Sequence, residues 1–149
     1  MLSNTLISLF ERDLNKVIDE LNLYQSESNI WQVEGNISNS AGNLALHLVG
    51  NLKTYIGKEI GKFDYVRNRD LEFSDKNVLR EKIVVDLRNT IVIIKDSLKS
   101  VSDDDLKKEY PLLVLSGKTS TEYFLVHLAT HLNYHLGQIN YHRRLIEKY

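Results

Sequence analysis

The sequence predicts an all-α protein, an antiparallel four-helix bundle built as a single domain over residues 1–149, and three observations carry that expectation. Apolar residues recur at steps of three and four over long stretches, as on a helix that buries one stripe. Seven glycines and one proline occur in 149 residues, so few breakers interrupt those stretches and no linker divides the chain. Hydroxyl residues stand where several stretches begin, at Ser40, Ser74 and Thr119-Ser120, where they can accept the free amides of a first helical turn.

The first helix is expected over residues 2–24, with Leu2, Leu6, Leu9, Phe10, Leu14, Val17, Leu21 and Tyr24 on one stripe. A polar stretch from Ser26 to Ser40 follows, with Trp31 as its buried anchor. Ser40 then caps a second helix in which Leu44, His47, Leu48, Asn51 and Tyr55 share a face, and Gly57 and Gly61 mark its fraying end. Residues 62–74 read as charged and irregular. Ser74 is expected to cap a third helix with Leu79, Ile83, Leu87, Ile91, Ile94 and Leu98 toward the core. The β-branched runs Ile83-Val84-Val85 and Ile91-Val92-Ile93-Ile94 also suit buried strands. Their unbroken three-and-four spacing, with no turn signal between them, favours helix. Ser102 to Leu106 reads as a short capped turn. Thr119-Ser120-Thr121-Glu122 fits a capping box that opens the last helix, which runs to about Lys148.

Composition narrows what such a bundle binds. Apolar residues make up 42% and charged residues 26%, with a formal net charge of −1. A chain this balanced carries no electrostatic footprint for nucleic acid or an anionic membrane, so neither is expected as a partner. There is no cysteine, which excludes disulfides and thiolate ligands and leans toward the cytoplasm. The opening Met-Leu-Ser-Asn-Thr-Leu lacks the pattern of a secretory signal. No apolar run reaches the roughly 18–20 residues of a membrane span. A cytoplasmic location is the expectation.

The chemistry is concentrated in histidine. Four of the five histidines fall in the last helix, at 127, 131, 135 and 142. At about 100° per residue, positions four apart lie on one flank, so His127, His131 and His135 form a ladder. An i,i+4 pair can present two imidazole nitrogens to one ion. The only histidine elsewhere is His47, on the inner face of the second helix, which a bundle can bring against the last one. Buried histidines also serve as hydrogen-bonded core residues, and that alternative stands beside the metal reading. Leu132 follows His131, so the zinc-protease pattern with its glutamate base is missing. No histidine has a glutamate three residues before it, which argues against a carboxylate-bridged di-iron site.

Flanking residues extend the candidate site. Asn51, one turn after His47, is placed to orient that imidazole, and Gln138, one turn after His135, to bond a ligand or substrate. Gly137 sits mid-helix at a cost of roughly 1 kcal/mol relative to alanine; a packing contact or a bound molecule would each account for it. Tyr123, Tyr134 and Tyr141 form a neighbouring stripe. With Tyr55 they suit a pocket wall over the metal, although a dimer contact is the favoured reading of such a stripe.

At these residues the chain resembles the DinB-like superfamily of four-helix bundle proteins, which includes bacillithiol-transferase-like relatives, and within it a small bacterial subgroup of uncharacterised function. The resemblance rests on Asn43-Leu44-Ala45-Leu46-His47-Leu48-Val49-Gly50-Asn51, on Arg67-Asn68-Arg69-Asp70-Leu71-Glu72-Phe73, and on His131-Leu132-Asn133-Tyr134-His135-Leu136-Gly137-Gln138, in that order along nearly the whole chain. It implies that His47, His131 and His135 hold one divalent metal ion, zinc or nickel, and that the protein forms homodimers. It gives His127 no ligand role, so His127 is expected beside the ligands or in packing. Many relatives carry Arg or Thr where this chain has Leu136, which puts a polar contact from that position in doubt. Arg67 and Arg69 are candidates to hold a substrate carboxylate by paired hydrogen bonds, although loop arginines are usually just solvated.

Three neutral imidazoles leave a coordination position open, the layout of a catalytic rather than a closed structural site. The expected activity is metal-assisted transfer of a low-molecular-weight thiol to a small electrophile, a chemistry that the resemblance implies. The alternatives are metal-dependent hydrolysis and a non-enzymatic, stress-related metal-binding module.

Overall fold

In the computed structural model, which describes residues 1–148, every regular element is helical; the last residue of the expected span 1–149 lies outside the described residues. The α-helices are α1 (Leu2–Leu23), α2 (Ala41–Leu52), α3 (Arg69–Ser74), α4 (Arg80–Leu98), α5 (Asp103–Lys107) and α6 (Thr121–Ile146). A 3₁₀ turn covers Glu27–Trp31, and α2 continues as a π-helical segment over Lys53–Lys58. Helix α1 packs on α4 and α6, and α2 packs on α3, α4 and α6. Their apolar stripes meet in one core that includes Phe10, Leu14, Leu48, Leu87, Leu128 and Ile139.

The expected starts of α2 and α5 are where the structure has them. Ser40 accepts from the Asn43 amide at 3.2 Å, and Ser102 forms a reciprocal capping box with Asp105. Trp31 is buried against Gly42 of α2. The β-branched runs of α4 are helical, with Ile83, Leu87, Ile91, Ile94 and Leu98 all buried.

Other expectations need correction. Ser74 does not cap α4: it is the last residue of α3, a helix capped by Asn68 inside the segment read as irregular. Asn77 then takes a left-handed conformation at φ 58°, which breaks the helical path, and α4 starts at Arg80. Leu79 precedes that start and is 66% exposed rather than part of the core. The second helical stretch ends between Gly57 and Gly61, at Lys58, and both glycines have a packing reason. A β-carbon on Gly57 would come within 2.8 Å of Ile93, and one on Gly61 would collide with Ser97, so these glycines let α4 approach closely. The cap of α6 is Ser120, which accepts from the Tyr123 amide at 3.1 Å. Glu122 is one residue too early for the reciprocal bond, and α6 ends at Ile146. No helix among the described residues is long and apolar enough to cross a membrane.

Candidate metal centre

Two helices carry three histidines to one point. His47 lies on the buried face of α2 between Leu44 and Leu48. His131 and His135 project one turn apart from α6, which packs on α2. The Nε2 atom of His131 is 3.4 Å from Nε2 of His47 and 3.0 Å from Nε2 of His135. One ligating atom from each ring lies within 4.8 Å of those of the other two.

The remaining ring nitrogens fix the tautomers. His47 Nδ1 is 3.0 Å from Glu72 Oε1. An ionised carboxylate only accepts, so Nδ1 carries the proton and Nε2 presents a lone pair. His135 Nδ1 is 2.7 Å from Gln138 Oε1, which leaves its Nε2 as a lone pair by the same reasoning. Two lone pairs therefore face His131 Nε2, and either a proton on that nitrogen or a cation held between the three rings satisfies them. Burial, followed by the neighbouring His135 and His47, pushes the His131 pKa down to about 4, so this ring is neutral near neutral pH. His131 Nδ1 is buried without a hydrogen-bond partner.

Glu72 is the residue that the sequence reading missed. It sits on α3, is 6% exposed, and receives Arg67 in a two-pronged contact: Nε to Oε2 at 2.8 Å and a terminal nitrogen to Oε1 at 2.9 Å. Burial alone would raise its pKa. The hydrogen bonds from His47 and Arg67, with the charge on Arg67, outweigh burial and hold the carboxyl below its usual range. Room for it comes from Gly50, where any β-carbon would collide with the Glu72 carboxylate. Asn43 ties α3 in place, donating from its buried amide to the carbonyls of Glu72 at 2.9 Å and Asp75 at 2.8 Å. A glycine one turn after His47 was the available signal, but only the tertiary fold shows what fills its space.

The other expected site residues divide between two cavities. One, of about 200 Å³, is lined by His47, His131, Asn51, Tyr55, His127, Arg67 and Arg69 among others. Asn51 does not orient His47, because Glu72 holds that nitrogen, and Asn51 Oδ1 is buried without a partner. Tyr55 packs beneath the Arg67 guanidinium at 5.6 Å. His127 stacks on His131 with ring centres 6.1 Å apart, beside the cluster and not in it. Arg69 is exposed and lies over Phe73, whose ring packs 5.0 Å from His47. The other cavity, of about 650 Å³, includes His135, Tyr134, Gln138 and Gly137 in its lining.

His142, the remaining histidine of α6, lies apart from the cluster. It is 3% exposed, faces the Tyr24 hydroxyl through Nδ1, and donates from Nε2 to the Gln32 carbonyl at 2.7 Å. It ties α6 to α1 and to the segment before α2.

An all-helical fold with three imidazoles converging from α2 and α6 defines the class of this protein. The chain belongs to the family described as Protein of unknown function (DUF1572), whose profile matches residues 4–149. No curated protein matches the chain.

Proposed function

We propose that this protein is a metal-dependent member of the DinB-like superfamily. It holds one divalent ion, zinc or nickel, on His47, His131 and His135, and promotes attack of a low-molecular-weight thiol on a small electrophile. The observation that carries this reading is the meeting of three Nε2 atoms from two helices, with Glu72 and Gln138 holding the opposite nitrogens of two of the rings.

The donor set fits such an ion. Zinc–nitrogen bonds of about 2.0–2.1 Å in a tetrahedral site put neighbouring ligand atoms roughly 3.3–3.4 Å apart, against 3.4 and 3.0 Å for the two pairs that His131 makes, with the His47–His135 pair within 4.8 Å. Glu72 behind His47 makes that imidazole more basic and adds a negative charge close to the site. When bound, the ion supplies Lewis acidity that lets a thiol or water in its remaining position ionise near neutral pH.

The chain's own groups shape what meets that position. His47 and His131 face the smaller cavity, where Tyr55 and His127 form part of the lining. Arg67 gives Nε and one terminal nitrogen to Glu72, which leaves Arg69 as the arginine for a substrate carboxylate. The exposed tyrosines of α6, Tyr123, Tyr134 and Tyr141, support a homodimer, and the absence of cysteine from the sequence supports a cytoplasmic setting.

Elemental analysis of the purified protein tests the site. One divalent ion per chain is expected, absent from His47→Ala and His131→Ala and retained in His142→Ala; equal metal in all three variants overturns it. Assays of the metal-loaded protein then separate the activities. Consumption of a thiol together with an electrophile supports transfer. Turnover of esters or amides without thiol replaces it with hydrolysis, and no turnover with the site intact leaves a non-enzymatic binding module.

A further inference from the structure

We propose that the larger cavity, beside Gly137, binds an uncharged, largely apolar organic molecule, and that this molecule is the electrophile of the reaction proposed above. The second half rests on the metal-centre reading; the first stands without it.

The cavity, of about 650 Å³, falls within the range of about 300–1,000 Å³ typical of small-molecule sites. One wall comes from residues 36–39 and Leu44 and the other from α6. Its polar groups are amides, from Asn36, Asn39, Gln138 and Asn140, and the hydroxyls of Ser38, Tyr134 and Tyr141. Charged residues make up 26% of the chain, yet no Asp, Glu, Lys or Arg lines this space. The two histidines in the lining are each held by hydrogen bonds, His135 to Gln138 and His142 to Tyr24 and the Gln32 carbonyl. An ionic ligand would lose water here and gain no counter-charge. A neutral molecule with one or two hydrogen-bonding groups fits the lining.

Gly137 supplies the second observation. The glycines of α2 and its π segment have a packing reason: a β-carbon would meet Trp31 at Gly42, Glu72 at Gly50 and Ile93 at Gly57. At Gly137, in the interior of α6, a β-carbon would meet nothing within 4 Å. No atom of this chain requires a glycine there, and Gly137 lines the cavity on one side and a recess with Lys16, Asp19 and Glu20 on the other. His135 and Gln138, hydrogen-bonded to each other, line the same space. A molecule held there lies one side chain away from the three-histidine cluster.

Fluorescence titration of the full-length protein with N-phenyl-1-naphthylamine, a neutral probe, tests the proposal, with its anionic relative 8-anilinonaphthalene-1-sulfonate as the comparison. The neutral probe should bind saturably at one per chain, at least tenfold more tightly than the sulfonate. Gly137→Leu, which puts a side chain into the open space, should weaken the neutral probe at least tenfold. Tyr141→Ala, which trims an exposed wall, should weaken it several-fold without risk to the core. Neutral-probe binding unchanged in both variants, or sulfonate binding equally tight, overturns the proposal. So does a probe signal that falls as sedimentation shows dimers forming, since a second copy would then be the occupant. Metal content measured on the same samples keeps the two readings apart. Metal retained with probe binding insensitive to both substitutions sinks the cavity alone, whereas probe binding as expected without metal sinks the metal centre alone.

Discussion

The carboxylate of Glu72 occupies the space that a β-carbon on Gly50 would take. That relationship links three elements, because the same carboxylate fixes His47 on α2 and Arg67 ahead of α3. Gly50→Ala is therefore expected to push Glu72 off His47 Nδ1 while leaving the three histidines in the chain. Loss of a carboxylate behind a histidine ligand typically costs about 10–100-fold in metal affinity. Gly50→Ala and Glu72→Ala should both weaken binding by that order in a competition titration against a chromophoric chelator. Affinity equal to wild type in both would show that Glu72 plays no part in holding the ion.

His142 provides the contrast within α6. Its ring bridges the Tyr24 hydroxyl and the Gln32 carbonyl in a buried setting. Truncation strands both partners and opens a cavity, and such losses amount to about 2–4 kcal/mol together. His142→Ala should lower the urea midpoint accordingly and keep its metal. His131→Ala should do the reverse, losing metal with a smaller effect on the metal-free protein. Comparison of the urea midpoints of the two metal-free variants checks this, and the same loss in both would remove the distinction between a structural and a site histidine.

Acid should weaken the fold through the histidine cluster. Burial and its neighbours lower the His131 pKa to about 4, below the value of about 6.5 for an unfolded histidine. The unfolded chain then binds more protons in that window, so the stabilisation is complete above pH ~6.5 and drains away as pH falls toward ~4. His135 and His142, also lowered by burial, act in the same direction. Glu72, held below the usual carboxyl range, adds a loss at the acid end of the window. Urea midpoints of the metal-free protein should fall between pH 7.5 and 4, and less steeply in His131→Ala. Parallel slopes for wild type and variant would show that His131 does not carry its share.

How far the sequence revealed this site follows from what each signal depends on. The caps at Ser40 and Ser102, the stripe of α1 and the i,i+4 pair of His131 and His135 are local, so spacing alone exposes them. The link between His47 and that pair crosses the fold: the helical face of His47 and bundle packing suggested it, and the likeness of three separate segments to a known superfamily strengthened it. Glu72 stayed hidden because its partners, His47 and Gly50, are more than twenty residues away. Asn51 has the helical spacing of an orienting residue, but a side chain from another element took that role. The start of α4 was misplaced for a related reason. Ser74 is a plausible cap by type, yet Asn68 and the left-handed Asn77 divide residues 68–79 into a short helix and a break.

Gly137 offers a test that needs neither metal nor ligand. In the interior of a helix, glycine is destabilising by roughly 0.5–1 kcal/mol relative to alanine. A β-carbon here meets no atom within 4 Å, so no clash opposes the gain from replacing it. For a chain of this length about 1 kcal/mol corresponds to roughly 2–4 °C in melting temperature. Gly137→Ala should therefore melt a few degrees higher than wild type at micromolar concentration. A lower melting temperature would mean that something outside the chain, such as a second copy, already packs against that position. Repeating the melt over a hundredfold range of protein concentration identifies that case, because only an associating protein would shift with dilution.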